Sequence, residues 1–348
     1  MKRQELIEAF VQLGKVMKIH GEGLAYSGYE LGITEDEFQQ TEAKIRQAFF
    51  KNGWFDEQSV RNSILAISTW LTKEKLEGWL ANYNFTENPK KVAVIMAGNI
   101  PLVGFHDFIS VLFSGHHILV KMSSEDELLL PCFSGYLVNF LPQLSERITF
   151  SERNISGYEA VIATGSNSSL QHFKAYFSKV PNLLRSNRTS IAILDGSETS
   201  EELILLGKDI VEFYGKGCRN VTHLLLPQGF EISRVFEALL PYSEIVNNKK
   251  YGNNYDYNKA IHLMNQALFL DNNFIMLKET EELHAPISMV HYHYYVEKEA
   301  IEDYLARHKA EIQCIVGHGF ISFGAAQCPQ LNDYADNVDT MSWLNSLD

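Results

Sequence analysis

Apolar residues in the first 85 positions recur at helical spacing. In 4–18, Leu6, Phe10, Leu13 and Val16 fall near one face, and 41–50, 56–73 and 74–82 repeat the pattern with almost no strand signal. Asp56 before Glu57 and Thr72 before Lys73 are side chains suited to starting a helix. The aromatics here (Phe49, Phe50, Trp54, Phe55, Trp70 and Trp79) read as core or subunit contacts.

After Asn88-Pro89 the period changes. KVAVIM at 91–96 is a short, wholly apolar strand broken by Ala97-Gly98-Asn99-Ile100-Pro101, and 103–114 reads as a buried helix closed by Gly115. Strands at 117–122, 159–163 and 190–194 alternate with helices at 126–141 and 169–177. Such alternation predicts a parallel sheet, with ligands at the carboxyl ends of its strands. Asn99, Lys121 with Ser124, and Thr164–Asn167 fall at such ends. Beyond Asp195 the alternation restarts, with helices at 201–214, 232–239, 260–267 and 298–309. Strands are expected at 222–226, 274–277, 289–295 and 313–316, and 252–256 reads as a loop. The expected fold class is α/β with two lobes and a helical lead-in. The lead-in and a dinucleotide-binding domain occupy 1–195, and a catalytic domain with a C-terminal tail occupies 196–348.

With 348 residues, 45% of them hydrophobic and 21% charged, the chain is sized for two cores. A net charge of −13 with no basic run beyond Lys90-Lys91 argues against nucleic acid as a partner. The opening MKRQELIEAF is charged and helical rather than a leader, and no apolar run reaches membrane-spanning length. The four cysteines, Cys132, Cys218, Cys314 and Cys328, are far apart, so a reducing, cytoplasmic setting is expected.

Cys218 stands out among them. It follows Gly215-Lys216-Gly217 and precedes Arg219, where a thiolate would be stabilised electrostatically and glycine permits close backbone approach. The competing reading is a small buried hydrophobe at a strand start. His291 and His293 share one face of a predicted strand, a spacing that can bind zinc. No third ligand of matching context is visible, so these, His116, His117 and His318 read as core or interface histidines, and no metal site is expected. Cys314 and Cys328 read as buried thiols. The acidic tail with Asp333, Asp336 and Asp339 reads as solvated surface or a subunit contact.

Over 90–320 these segments line up in an order that resembles the aldehyde dehydrogenase superfamily, and within it the LuxC-like fatty-acyl-CoA reductases. AGNIP at 97–101 resembles the Trp-Asn-Phe-Pro segment, which implies that the Asn99 amide helps form an oxyanion hole; read alone, Asn99 caps the following helix. LFSGHHILVKMSS at 112–124 is similar to the segment whose lysine binds the adenosine ribose, a role that falls to Lys121. Ser124 replaces the glutamate of NAD-preferring members. The resemblance therefore leans to NADPH over NADH, with Glu125 and Asp126 as nearby counter-indications. ATGSN at 163–167 resembles the Phe-Thr-Gly-Ser loop under the nicotinamide and pyrophosphate, implicating Thr164, Gly165 and Ser166; a generic strand-to-helix turn would look similar. Cys218 matches the thiol nucleophile. ETEELHAPISMVHY at 279–292 is similar to Glu-Glu-Ile-Phe-Gly-Pro-Val, which gives Glu282 the nicotinamide ribose, while His284 and Ala285 depart from the usual aromatic and glycine. His284 is placed to stack on that ribose.

The glutamate that activates water in hydrolytic members has no counterpart in SIAILDGSE, where Asp195 and Glu198 stand outside the matched context. The resemblance thus implies reduction of an acyl-CoA to an aldehyde through a thioester on Cys218. A homo-oligomer is expected, with an acyl-transferring or aldehyde-consuming partner a further possibility. Two alternatives stay open: an aldehyde dehydrogenase working oxidatively, hydrolytic or CoA-acylating, and an acyl-transfer subunit that uses Cys218 with nicotinamide secondary.

Overall fold

The computed structural model describes residues 1–151 and 154–347. The chain divides into two compact units, Met1–Ser186 with Gln330–Asp348, and Asn187–Pro329.

The first unit opens with helices α1 (Arg3–Glu22), α2 (Glu35–Lys51), α3 (Glu57–Ser68) and α4 (Lys73–Leu80). Asp56 and Thr72 start α3 and α4 as their sequence positions suggest, accepting the N–H of Ser59 and Lys75. Thr34 and Glu37 form a reciprocal capping box on α2. α1 buries Leu6, Phe10, Leu13 and Met17, and at Gly21 its backbone runs so close to α3 that a Cβ would lie 2.8 Å from the Leu65 backbone. Trp54, Phe55, Trp70 and Trp79 are buried, whereas Phe49 and Phe50 are exposed.

The α/β part continues with β1 (Lys91–Ile95), α5 (Phe105–Phe113), β2 (His117–Lys121), α6 (Leu129–Phe140), β3 (Ile148–Ser151), β4 (Ala160–Thr164), α7 (Asn167–Tyr176) and β5 (Asn182–Arg185). All pairings are parallel, in the order β3-β2-β1-β4-β5. Chain direction across the sheet reverses between β1 and β4, the place where open α/β sheets form a ligand crevice. One face carries Ala93, Leu119, Val161 and Ala163 under Phe173 and Phe177 of α7 and its flank. The C-terminal segment belongs to this unit: Thr340 Oγ1 accepts from Arg185 at 2.7 Å, and Asp339 accepts from Tyr83 at 2.9 Å. His116, fully buried, contacts the Lys90 N–H and Leu344 carbonyl and is a core histidine as expected.

The second unit comprises β6 (Thr189–Ile193), α8 (Ser200–Val211), β7 (Val221–Pro227), α9 (Ser233–Leu239), α10 (Lys249–Met264), β8 (Leu270–Asp271), β9 (Met276–Glu279), β10 (Met289–Tyr295), α11 (Lys298–His308) and β11 (Ile312–Gly317). A last helix, α12 (Thr340–Asn345), lies in the tail. The second sheet runs β11-β6-β7-β10-β9-β8, with only β8 antiparallel.

Two expectations are corrected here. The strand at 190–194 does not close the first sheet; β6 pairs with β7 and β11 in the second. The stretch 252–256 is helical, inside α10, because Asn248 caps the helix and Tyr251 and Tyr255 are buried. No described helix is long and apolar enough to cross a membrane.

Candidate active site

In the first unit, the loops leaving β2, β1 and β4 lie side by side at the carboxyl end of the sheet. They carry Lys121 with Ser124, Asn99, and Thr164–Ser166 respectively. The β1 and β2 loops interlock: a Cβ on Gly98 would sit 2.5 Å from Ser123 Oγ, so glycine is required there. Asp126 Oδ2 accepts the Leu102 N–H at 2.7 Å. That bond holds Leu102 at φ 58, a left-handed conformation costly for a leucine. Burial pushes the Asp126 carboxyl up to about 7. Asn99 is half-buried and does not cap α5, whose first turn follows Gly104 with no side-chain cap.

Gly165 is equally constrained, since a Cβ would meet Phe173 at 2.9 Å. Ser166 caps α7, accepting from Ser169 N–H at 3.2 Å. Beside these loops Lys121, Ile95, Ile155, Phe173 and Tyr176 help line a cleft of about 640 Å³. Its walls are mostly apolar, and Lys121, Asn154 and His172 bring polar groups to them.

In the second unit, Cys218 is half-buried on the turn that enters β7. The turn begins with three consecutive left-handed residues, Phe213 (φ 51), Tyr214 (φ 59) and Gly215 (φ 73). Such conformations persist only where surroundings over-determine them, and Asn220 does so. Its Oδ1 accepts the Gly217 N–H at 2.7 Å, and its Nδ2 donates to the carbonyls of Asp209, Ile210 and Glu212 at 3.0, 3.3 and 2.8 Å. Ser190 donates to the Cys218 carbonyl at 3.0 Å. Asp209 accepts the N–H groups of Gly324 and Ala326, at 2.6 and 3.0 Å. Burial still raises its carboxyl to about 6.

Asp195 and Glu198 lie beyond the carboxyl end of β6. Cys218 precedes the amino end of the parallel neighbour β7, so these groups occupy opposite ends of the sheet. Glu198 takes the N–H groups of Asp195 and Gly196 at 2.6 and 3.1 Å. Hydrogen bonds from Ser197, then from His318, hold the Asp195 carboxyl well below the usual range. His318 bridges Asp195 and Glu202 at 3.0 Å each, and that pairing raises its imidazole to about 9.

Glu282 is largely exposed, 3.7 Å from Lys278 Nζ, and His284 faces Glu311 at 3.1 Å. His291 and His293 form no ligand set with a third group among the described residues. Cys314 is buried against Ser190, as expected, but Cys328 is exposed. Asn220 and His223 were not singled out from sequence, and Asp126 was named only as a charge near the nucleotide, not as a partner of Leu102. The available signal was a polar residue inside an apolar stretch, as in Val221-Thr222-His223-Leu224, since buried polar groups require partners.

No family model matches the chain, and no curated protein matches it. Solved structures do. An indole-3-acetaldehyde dehydrogenase of P. syringae, solved with NAD+ and IAA, aligns with a TM-score of 0.65 at 10% identity over 87% of this chain and 70% of its own. Aldehyde dehydrogenase 21 of Physcomitrella patens, bound to succinate, aligns with 0.64 at 12% identity over 91% and 74%. The fold is that of the aldehyde dehydrogenases. An aldehyde dehydrogenase of Mycobacterium tuberculosis complexed with NAD+ gives 0.58 at 13% identity over 85% and 70%. The two α/β lobes expected from sequence are thus those of the aldehyde dehydrogenase fold.

Proposed function

We propose that the chain is a LuxC-like acyl-CoA reductase, which converts an acyl-CoA to the aldehyde through a thioester on Cys218 with NADPH or NADH as reductant. The observation that carries this reading is the Cys218 turn: a half-buried thiol on a backbone over-determined by Asn220 and Ser190. A merely structural cysteine would not need a strained, multiply tied turn. The two carboxylates in the stretch before it, Asp195 and Glu198, sit at the other end of the sheet. With its oxygens engaged and its pKa depressed, Asp195 is a poor general base. A thioester on Cys218 then outlives hydrolysis by these groups.

The nucleotide fits the first unit. The glycine cradles at 98 and 165, which any Cβ would fill, suit close approach of a ligand to the backbone, and Lys121 lines the adjoining cleft. By the resemblance, Lys121 takes the adenosine ribose, Thr164, Gly165 and Ser166 the pyrophosphate side, and Glu282 and His284 the nicotinamide ribose. Two of the solved relatives named above carry NAD+. For this chain NADPH is favoured, because Ser124 is exposed and the Asp126 carboxyl is buried on the Leu102 N–H, which leaves the exposed Glu125 as the one counter-indication of the two that remains.

In the reaction the Cys218 sulfur bonds to the acyl carbonyl carbon. The Cys218 N–H and, by the resemblance, the Asn99 amide stabilise the oxyanion. The bond to the coenzyme A sulfur breaks, and coenzyme A leaves with a proton. Nicotinamide, when bound, would supply a hydride to the carbonyl carbon of the Cys218 thioester, and the bond to Cys218 Sγ would then break to release the aldehyde and restore the thiolate. The test is to supply acyl-CoA with NADPH or NADH and measure aldehyde formed per nucleotide oxidised, then to supply aldehyde with NADP+. Aldehyde in equal amount to nucleotide consumed is expected. Free acid as the main product of the second assay would establish the hydrolytic alternative, and no nucleotide binding at millimolar levels would favour the acyl-transfer alternative.

A further inference from the structure

The HYHYY run of β10 plays no part in the chemistry above, yet its histidines are directed to one place. His291 Nδ1 lies 2.8 Å, and His223 Nδ1 of β7 3.0 Å, from the same backbone carbonyl, that of Glu282. A carbonyl only accepts, so both Nδ1 atoms carry protons. His223 Nε2 is then an acceptor, and the His293 Nδ1 at 2.7 Å donates to it. The neighbouring carbonyls are held in the same manner. Tyr304 of α11 donates to Glu281 O at 3.3 Å, and Thr222 of β7 donates to Leu283 O at 3.4 Å. Three successive carbonyls of the loop between β9 and β10 are therefore gripped by side chains from β7, β10 and α11.

The loop itself is exposed at Glu281, Glu282 and His284, whereas His223, His291 and Tyr304 are buried. Burying imidazoles costs free energy that only their hydrogen bonds offset, and an apolar residue would serve packing alone better. Tyr304 stacks on His223 with ring centroids 5.1 Å apart, which fixes the imidazole plane.

We infer that His223, His291 and Tyr304 are positioning residues that fix the 280–284 loop and so hold Glu282 in place for the nicotinamide nucleotide. This role rests on the assignment of Glu282 made under the proposed function. None of the three touches the nucleotide; each acts through the loop backbone. His293 sets the proton on His223 and belongs to the same device.

The test uses the full chain with His291→Phe, His291→Asn and Tyr304→Phe. Phenylalanine fills the space without a donor, asparagine keeps an N–H near the Nδ1 position, and Tyr304→Phe removes one hydroxyl while sparing the packing. Amide exchange over 280–285, NADPH and NADH affinity by nucleotide fluorescence, and Cys218 acylation by acyl-CoA are measured together. In His291→Phe and Tyr304→Phe, exchange should quicken about tenfold and the nucleotide Kd should rise roughly fivefold or more, a weakening in the range of one lost hydrogen bond. Acylation of Cys218 should stay at the parent level, and His291→Asn should recover most of both losses. Unchanged exchange and affinity in both His291→Phe and Tyr304→Phe, with a parent that binds nucleotide, overturns the positioning role alone. A parent that binds neither nucleotide overturns the role together with the proposed function.

Discussion

Asn220 shows how much one side chain sets in this chain. Its amide ties one N–H of the turn that presents Cys218 to three carbonyls at the end of α8, those of Asp209, Ile210 and Glu212. Asn220→Ala leaves those buried groups unpaired at a cost of about 2 kcal/mol or more, by the penalty for unsatisfied buried polar atoms. The expected outcome is a lower urea midpoint together with slower acylation of Cys218; a stable variant with normal acylation would deny that the turn is held this way. Cys218 itself was legible from Gly-Lys-Gly-Cys. Asn220 was not, because its partners are backbone groups up to eleven positions upstream that no side-chain pattern encodes. Asp126 was legible only as a charge near the nucleotide, while its carboxyl turns inward to accept the Leu102 N–H.

At the scale of elements, hydrophobic period located most helices and strands but not their partners. β6 is buried at all five positions, as a doubly covered strand is, and its short apolar core Ile191-Ala192-Ile193 fits either sheet equally well. Only its hydrogen bonds to β7 and β11 decide where it belongs. In α10, Gly252, Asn253, Asn254 and Asp256 are weak helix formers, and the cap at Asn248 and burial of Tyr251 and Tyr255 override them. The short β3 and β5 escaped notice because four residues with mixed burial carry little period. Gly21 offers a test of close helix packing, since any Cβ there meets the α3 backbone at 2.8 Å. Gly21→Val should destabilise the first unit by about 1–3 kcal/mol, the usual penalty of overpacking. Circular dichroism melts would show a lower Tm, and an unchanged Tm would mean that α1 and α3 separate freely.

For the whole molecule, the buried histidines are a source of sensitivity to acid. Burial and then the nearby His293 lower His223 to about 3, and burial also lowers His291 and His293. A histidine depressed in the folded state contributes stability that is complete above its unfolded pKa, near 6.5, and is lost as pH falls toward the folded value. Each histidine kept neutral therefore removes stability below pH 6.5, by about 1.4 kcal/mol per pH unit, while Asp126, Asp209 and His318, whose folded values are raised, act in the opposite sense over the same range. Urea unfolding of the parent and of His223→Gln at pH 7.5 and 5.5 isolates one histidine: on acidification the parent should lose more stability, or gain less, than the variant, and the same change in both would contradict it. The two-lobed α/β plan was legible because strand and helix periods alternate along 90–320. The return of 330–348 to the first unit was not, because it depends on particular contacts such as Thr340 with Arg185. The most direct measurement of the central claim is intact-protein mass spectrometry after acyl-CoA is added without reductant, followed by peptide mapping. A gain of one acyl group on Cys218, absent in Cys218→Ala and discharged by NADPH or NADH, is the expected result. An unmodified protein, or an acyl group on another residue, would contradict it.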